Sequence, residues 1–441
     1  MKEIIFVCNW ERTVSINAVA GVIKRKAKSS LLHAVIFDNK ANFLLDRTLF
    51  DNVVDLRLAK KDFDFDQISK DIFLEIISRD RFLDATEENL FMLNAQTKLM
   101  STRFSDVVSA IVIGEVSWAS EELLLYYSKS RGWDYFTPSV ARLIDRRWFL
   151  ANGMSERDIV VPASKGINVT NQSVKIAEGR PDYFEVGISN LRIINRVKNL
   201  SLFNVKRLLN SSKKRRLLVA KLMYFIAKGF NWLKRSKISN VKERSLVVFP
   251  FHVQPEASID YLAPRLRNQY KLVQRLVNSL PSGVTLVVKD HPGAIHEFDL
   301  IGKLRLLLNK KVIYLHDSID IHEEFDKFHS SIVVTGSLGI QLSLKGVPGI
   351  TLCPMFFNDH PMSHYMNIDD IPESFESQIE NMISCRNTIN LQEANDHFLD
   401  FLNANSFPGY SFSTSQFGFT DPLFLNSLCD ELLLRANAND D

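Results

Sequence analysis

The feature that most constrains the fold is an alternation of short apolar runs, many of them β-branched, with longer amphipathic segments. In the first half of the chain the predicted strands are Glu3–Cys8, Leu32–Phe37 and Val107–Ile113. Ser120–Arg131 then has helical periodicity, and Gly132 is the expected stop signal of that helix. This alternation is typical of βα units built around a parallel sheet.

The same alternation is clearer in the second half. The predicted strands there are Ser245–Phe249, Val284–Lys289, Val312–Leu315, Ser331–Val334 and Gly349–Cys353. Predicted helices over Arg265–Leu280 and Ser337–Lys345 lie between them. Because 441 residues exceed what one ordinary core accommodates, the pattern predicts two α/β domains.

Domain boundaries follow from the change in composition along the chain. We place a first Rossmann-like domain at 1–195, a basic amphipathic segment at 196–244, a second α/β domain at 245–400, and a helical tail at 401–441 that packs back on the first domain. No acidic residue occurs from Lys206 to Lys237. That segment is either a helix on an anionic membrane surface or an interdomain helix with solvated charges, and the missing acidic residues favour the membrane.

Bulk properties exclude several classes of protein. A formal net charge of +3 is too small for a general nucleic-acid binder. No apolar stretch approaches the ~20 residues of a membrane-spanning helix, and the apolar run at the N-terminus is too short for a signal peptide. The four cysteines form no CxxC pair, and no zinc-type pairing with histidine is present. We therefore expect a cytoplasmic protein without a metal site.

A first candidate site is the loop FPFHVQPEAS, Phe249–Ser258, which directly follows a predicted strand. Ligands of open α/β sheets bind beyond the carboxyl ends of the strands, so this loop lies where a site is expected. Its candidate substrate-binding residues are His252, Gln254 and Ser258, and Glu256 is the candidate catalytic carboxylate. The alternative is a plain strand–helix loop in which Ser258 caps the helix.

Two further motifs end predicted strands of the same domain. In KDHPG, His291-Pro292 with Lys289 can bind a phosphate or a nucleobase, although a loop histidine can also be incidental. In VTGSLG, small residues precede a helix N-terminus, which is an anion site or simply tight helix–sheet packing with Ser337 as the cap. The candidate residues there are Thr335, Gly336, Ser337 and Gly339. Neither a GxGxxG fingerprint nor a P-loop is present.

The first half offers one carboxylate in a comparable position. Glu115 follows the predicted strand Val107–Ile113 and is a candidate general acid or base, or else a surface glutamate. Arg142, Arg146 and Arg147 further along are candidates to bind an anionic sugar, or they are the solvated charges of a helix.

The order of these motifs resembles the capsule-polysaccharide biosynthesis proteins, which include transferases of Kdo (3-deoxy-manno-octulosonic acid), an acidic sugar carried on CMP. The resemblance covers Leu246–Phe357 through FPFHVQPEAS, VVKDHPG, TGSLG and KGVPGITLCPMFF, and more loosely GEVSW. It implies the GT-B architecture, α/β with two Rossmann-like domains facing across a cleft. The nucleotide would lie in the C-terminal domain and the acceptor in the N-terminal one.

The resemblance also implies roles for individual residues. His291 and Ser337 match CMP-binding positions, as in bacterial sialyltransferases. Glu256 falls where some Kdo transferases have a catalytic aspartate, which makes it the nucleophile or charge stabiliser, with Glu115 as its acid/base partner. This sequence has QPE in place of two or three acidic residues, which leaves the covalent mechanism and the identity of the sugar open.

The expected function is therefore a glycosyltransferase that moves a Kdo- or sialic-type sugar from a CMP-activated donor. The acceptor would be a surface polysaccharide or a lipid-linked glycan at the inner membrane face, with no metal or other cofactor. Protein cations and helix dipoles would stabilise the departing phosphate. The alternatives are a transferase that uses a UDP-sugar or a CDP-polyol, and a non-catalytic polysaccharide-assembly factor.

Overall fold

The computed structural model describes residues 2–10, 12–60, 67–80, 83–141, 147–154, 157–163, 244–252, 257–291, 300–315, 319–409 and 421–438. The chain divides into two compact units. The N-terminal unit comprises Met1–Tyr183 and Leu402–Asp441, and the C-terminal unit comprises Phe184–Phe401.

The N-terminal unit is built on a mainly parallel sheet. Its first strands are β1 (Glu3–Cys8), β2 (Leu32–Ile36), β3 (Asn52–Asp55), β4 (Ala110–Ile113), β5 (Asp134–Val140) and β6 (Arg147–Asn152). The helices between them are α1 (Thr13–Lys26), α2 (Asn39–Leu44), α3 (Gln67–Arg79), α4 (Glu87–Arg103) and α5 (Ala119–Ser130), with short 3-10 turns at Arg47–Leu49 and Leu56–Leu58. Strands β1 to β5 pair in parallel, and β6 pairs antiparallel with β5.

The sheet of the C-terminal unit is parallel throughout the described strands. These are β7 (Ser245–Pro250), β8 (Val284–Lys289), β9 (Val312–Tyr314), β10 (Ser330–Val333), β11 (Gly349–Thr351) and β12 (Ser363–Tyr365). The helices are α6 (Ala257–Asp260), α7 (Gln269–Asn278), α8 (Leu300–Leu308), α9 (Ser337–Ser343), α10 (Ile371–Thr388) and α11 (Leu391–Asn405). Short 3-10 turns lie at Pro264–Leu266, Phe325–Lys327, Phe356–Asp359 and Ile368–Asp370.

The C-terminal segment of the chain completes the N-terminal unit. Strand β13 (Phe407–Pro408) pairs antiparallel with β6, and the Phe407 ring stacks on Trp148 at a centroid distance of 4.5 Å. Helix α12 (Pro422–Asn437) packs against α1 and contributes Leu428 and Leu432 to the same buried core as Phe6 and Ile16. The first sheet thus has the order β13-β6-β5-β4-β1-β2-β3.

Alternation along the strands builds a core on each face of the second sheet. Val247 and Phe249 of β7 point into one buried cluster, whereas Leu246 and Val248 point into another. A strand with both faces covered needs apolar residues at successive positions, which explains the uninterrupted apolar run LVVF, residues 246–249. The two parallel-sheet units confirm the predicted pair of Rossmann-like domains.

Most predicted elements are confirmed, and one helix is corrected. Strands β1 and β8 have the predicted bounds, and Gly132 after α5 has the positive φ of 69° expected of a helix stop. The predicted helix Arg265–Leu280 begins later, because the Asn268 side chain accepts a hydrogen bond from the Lys271 N–H at 3.0 Å and starts α7. Within the described residues no helix is long and apolar enough to cross a bilayer.

Candidate functional site

The strand order of the C-terminal sheet reverses between β7 and β10. The order is β12-β11-β10-β7-β8-β9, so the chain leaves β7 toward one side and later adds β10 on the other. Ligands of open α/β sheets bind where the strand order reverses in this way. The loops after β7 and β10 therefore frame the candidate site of this unit.

His252 joins these two loops. Its Nε2 accepts a hydrogen bond from the backbone N–H of Val334 at 3.2 Å, which leaves the ring proton of the neutral imidazole on Nδ1. The buried Gln269 side chain fixes the His252 backbone, accepting from its N–H at 2.8 Å and donating to its carbonyl at 3.2 Å. The ring is buried and its Nε2 accepts from Val334, so His252 links the loop after β7 to the loop after β10.

The loop after β10 packs closely on that ring. A Cβ atom added to Gly336 would lie 2.8 Å from Cε1 of His252, and one added to Gly339 would lie 2.7 Å from Cγ2 of Val333. Gly336 is the N-cap of α9 and Ser337 is its first residue, so the reading of Ser337 as the cap is wrong. Thr335 is fully buried, whereas Ser337 is half-buried at the edge.

The loop after β8 begins from a buried polar network. Asp290 accepts hydrogen bonds from Lys303 Nζ at 2.9 Å and from the Tyr314 hydroxyl at 2.6 Å. Burial, together with the Asp290 charge, raises the pKa of Tyr314 well above its ordinary value, so its hydroxyl stays a donor. Lys289 donates from Nζ to the carbonyl of Ile319. His291 directly follows Asp290 of this network and is half-buried.

Several predicted site residues lie outside the described residues. These are Gln254, Glu256, Pro292, Arg142 and Arg146, together with the basic segment Lys206–Lys237. Ser258 lies in α6, and its side chain is outside the described part. Helix α6 is held by Asp260, which accepts a hydrogen bond from Arg267 Nε at 3.0 Å.

The N-terminal sheet has its own reversal of strand order, between β1 and β4. Glu115 lies just beyond β4 and forms an ion pair with the guanidinium of Arg12, which follows β1. A Cβ atom added to Gly114 would lie 2.4 Å from Cγ2 of Val7, so the loop needs glycine at this position. The structure thus places the predicted acid/base candidate at this reversal, beside a cation that the sequence reading did not single out.

A second carboxylate holds the Glu115 loop. The buried side chain of Glu121 accepts from the N–H groups of Ser117 at 2.6 Å and Trp118 at 3.1 Å, and from Asn9 Nδ2 at 3.2 Å. Burial raises its pKa to about 7, although these hydrogen bonds and the nearby charge of Arg12 lower it. Glu121 was missed, yet it is the third residue of α5, the position of a capping-box glutamate.

Within the described ranges no group of three or more histidine, cysteine, aspartate or glutamate side chains is arranged to hold a metal ion. No family model matches the sequence, and no curated protein matches it.

Solved structures with related folds include glycosyltransferases and sugar epimerases. The β-Kdo 2,7 transferase KpsC of Thermosulfurimonas dismutans is 12% identical over 77% of this chain and 97% of its own, with a TM-score of 0.31. UDP-bound MnaA of S. aureus is 10% identical over 92% of this chain and 98% of its own, with a TM-score of 0.28. The UDP-GlcNAc 2-epimerase of Neisseria meningitidis, bound to UDP-GlcNAc, is 10% identical over 92% and 100%, with a TM-score of 0.25.

Proposed function

We propose that the protein is a glycosyltransferase that takes a CMP-activated acidic sugar, of the Kdo or sialic type, as its donor. The acceptor is a surface polysaccharide or a lipid-linked glycan. The nucleotide binds at the strand-order reversal of the C-terminal sheet, through the loops that carry His291 and Ser337.

One observation carries this proposal: the three loops that hold the predicted site residues leave adjacent strands at that reversal. The loops after β8 and β10 carry the predicted nucleotide-binding residues, and the loop after β7 carries predicted substrate-binding and catalytic residues. The Val334 N–H meets His252, and the Phe251 N–H donates to the Lys289 carbonyl at 2.8 Å, so the loops after β7, β8 and β10 are neighbours. The motifs that resemble the capsule-polysaccharide proteins are therefore gathered at one edge, where an α/β sheet binds nucleotides.

For this reaction, the residues at this edge of the sheet have to stabilise the charges that develop during transfer. Transfer breaks the bond between the anomeric carbon and the phosphate oxygen, and the electron pair of that bond stays on CMP. The acceptor hydroxyl oxygen forms the new bond and gives up its proton. His291, two residues beyond the end of β8, is proposed to donate a hydrogen bond to the departing phosphate. Glu256 is proposed to stabilise the oxocarbenium-like centre or to attack it.

Glu115 is proposed as the carboxylate that accepts the acceptor's proton. Its ion pair with Arg12 involves Oε2 and leaves 36% of the Glu115 side chain exposed, so the other carboxylate oxygen can accept the proton while the pair is kept.

The direct test is turnover of CMP-Kdo and CMP-sialic acid by Glu256→Gln, with the exposed Glu376→Gln of α10 as the matched control. We expect Glu256→Gln to bind CMP like the wild type and to lose at least about 100-fold in release of CMP from the donor. If Glu256→Gln turns over the donor as fast as the wild type does, Glu256 is not a catalytic residue. If the wild-type protein turns over neither donor but does turn over a UDP-sugar or a CDP-polyol, the proposed donor is wrong and that compound takes its place.

A further inference from the structure

Large apolar side chains stand exposed on the segments that follow β1, β2 and β3 of the N-terminal unit. Their exposed fractions are 46% for Trp10, 87% for Phe43, 37% for Leu44 and 73% for Leu58. We call these four residues the Trp10 patch. We propose that the Trp10 patch binds the surface of an anionic lipid bilayer.

Contacts tie the three segments together. Strands β1, β2 and β3 are neighbours in the sheet, so the segments that follow them lie at one edge. The Trp10 N–H donates to Asp38 Oδ2 at 3.0 Å, and Lys40 Nζ lies 4.6 Å from the centroid of the Trp10 ring. Arg57, next to Leu58, donates to Asn39 Oδ1 at the start of α2. The exposed side chains therefore belong to one surface.

The backbone that carries the patch is fixed by hydrogen bonds. Asp38 Oδ1 caps α2 by accepting from the Ala41 N–H at 2.7 Å. At the other end of α2, Asn17 Nδ2 donates to the Leu44 carbonyl at 2.8 Å, and Asn17 Oδ1 accepts from the Asp46 N–H at 3.1 Å. Both ends of helix α2 are thus fixed by hydrogen bonds, while Phe43 and Leu44 are exposed to solvent. Exposed apolar groups gathered in this way mark an interaction surface.

Charge around the patch favours an anionic partner. Lys40, Arg47 and Lys60 are exposed, and all three lie on the segments that carry the patch. The carboxylates of the same segments are engaged within the protein. Asp38 accepts from Trp10 and Ala41, Asp46 accepts from the Thr48 N–H at 3.1 Å, and Asp55 pairs with Arg57. Of these three carboxylates Asp55 is buried, Asp38 is half-buried and Asp46 is exposed, so the three exposed cations outnumber the exposed carboxylate among them.

The chemistry of the side chains suits a water–lipid boundary. Tryptophan places an apolar ring and a polar N–H at that boundary, and lysine buries its stem while its ammonium reaches lipid phosphates. Cations near an anionic membrane surface are attracted to it, and each one adds to the affinity. The proposal stands apart from glycosyl transfer and does not depend on it.

The test is binding of the full chain to vesicles of phosphatidylcholine and phosphatidylglycerol, measured by co-sedimentation. We expect Trp10→Ser/Phe43→Ser to lower the affinity about tenfold or more, since it removes two large apolar groups from the contact. The matched control is Leu308→Ser on α8, which changes a side chain of similar exposure, 78%, in the other unit. We expect this control to bind like the wild type.

A second readout locates the contact even if another segment also binds vesicles. Vesicles with brominated acyl chains quench a tryptophan that reaches the lipid, and the difference between wild type and Trp10→Phe isolates Trp10 among the five tryptophans. We expect Trp10 to be quenched. Vesicle binding without quenching of Trp10, no binding at all, or equal losses in the patch and control variants would each overturn the proposal. A patch that instead captures a second copy of the chain would appear as dimerisation without vesicle binding, which also overturns it.

Discussion

At the scale of single residues, the contact between His252 and Gly336 links the two loops that frame the candidate nucleotide site. The backbone of Gly336 has a φ of −75°, which any residue can adopt. Only the space is restrictive, because a methyl group there would meet the His252 ring at 2.8 Å. A substitution of Gly336 therefore tests the packing against His252 and not backbone strain.

We predict that Gly336→Ala lowers the free energy of unfolding by about 1–3 kcal/mol and weakens nucleotide binding. The control is Gly21→Ala in α1, where the nearest atom to the added Cβ is Arg25 Nη1 at 3.6 Å. There we expect stabilisation of roughly 0.5–1 kcal/mol, because alanine favours a helix over glycine. Urea unfolding of both variants measures the difference, and equal effects at the two glycines would contradict the close contact.

The sequence predicted candidate residues for the sites but not the residues that support them. His291 and Ser337 were predicted because they follow apolar runs and match motifs, and their roles stay predictions. Gln269, Lys303 and Arg12 carry no such signal, because their roles come from partners 17, 13 and 103 residues away in the chain. His252 was found, but its bond to Val334 could not be predicted, because it depends on which strands are neighbours.

At the scale of elements, helix α5 carries a titratable support for the Glu115 loop. Burial raises the pKa of Glu121 to about 7, above the 4.5 of an unperturbed glutamate. Between about pH 4.5 and pH 7 the folded protein therefore holds a proton that the unfolded chain has released. The free energy of unfolding falls as pH rises through this window, because the folded state binds more protons.

We predict that Glu121→Gln removes part of this pH dependence, by about 3 kcal/mol at most across the window. Denaturant unfolding at several pH values measures it. Glu122, whose pKa burial also raises to about 7, titrates in the same range, so Glu122→Gln gives the second contribution for comparison. An unchanged slope in Glu121→Gln would mean that Glu121 is ionised throughout the window.

Helix α8 and strand β9 support the His291 loop through the buried Asp290, Lys303 and Tyr314. We predict that Lys303→Met costs about 3–5 kcal/mol, because Asp290 is left buried without its cation. Lys303→Met/Asp290→Asn should cost less than the two single changes together, by about 1–3 kcal/mol. Exposed Arg305→Met on the same helix is the control and should change stability by less than about 0.5 kcal/mol. Additive costs would show that the pair is not coupled.

Elements with a strong local pattern could be predicted, whereas elements defined by a neighbour could not. Strand β5 was missed because it contains Pro138, which argues against a strand. The structure tolerates Pro138 because β4 pairs with β5 only as far as Phe136. Strand β13 has two residues and exists only through its pairing with β6, so nothing in its own sequence could reveal it.

At the scale of the whole molecule, both units repeat one strand order. In each, the first strand lies in the interior of the sheet, the next two add on one side and the following ones on the other. This order brings Glu115 to Arg12 in one unit and Val334 to His252 in the other. The alternation of strands and helices predicted two such sheets, but the order of strands is a tertiary property. The places where the loops meet therefore became visible only in the structure.

The C-terminal unit is proposed to bind the nucleotide of a CMP-activated sugar beside His291. The most direct test is a thermal-shift panel of CMP, CDP, UMP, UDP and GDP with wild type, His291→Ala and the exposed control His397→Ala. A ligand present at about 100 times its Kd adds roughly 2.7 kcal/mol to the folded state. We predict a rise in melting temperature that is selective for CMP, lost in His291→Ala and kept in His397→Ala. No shift with any nucleotide, or a CMP shift that survives in His291→Ala, would contradict the claim.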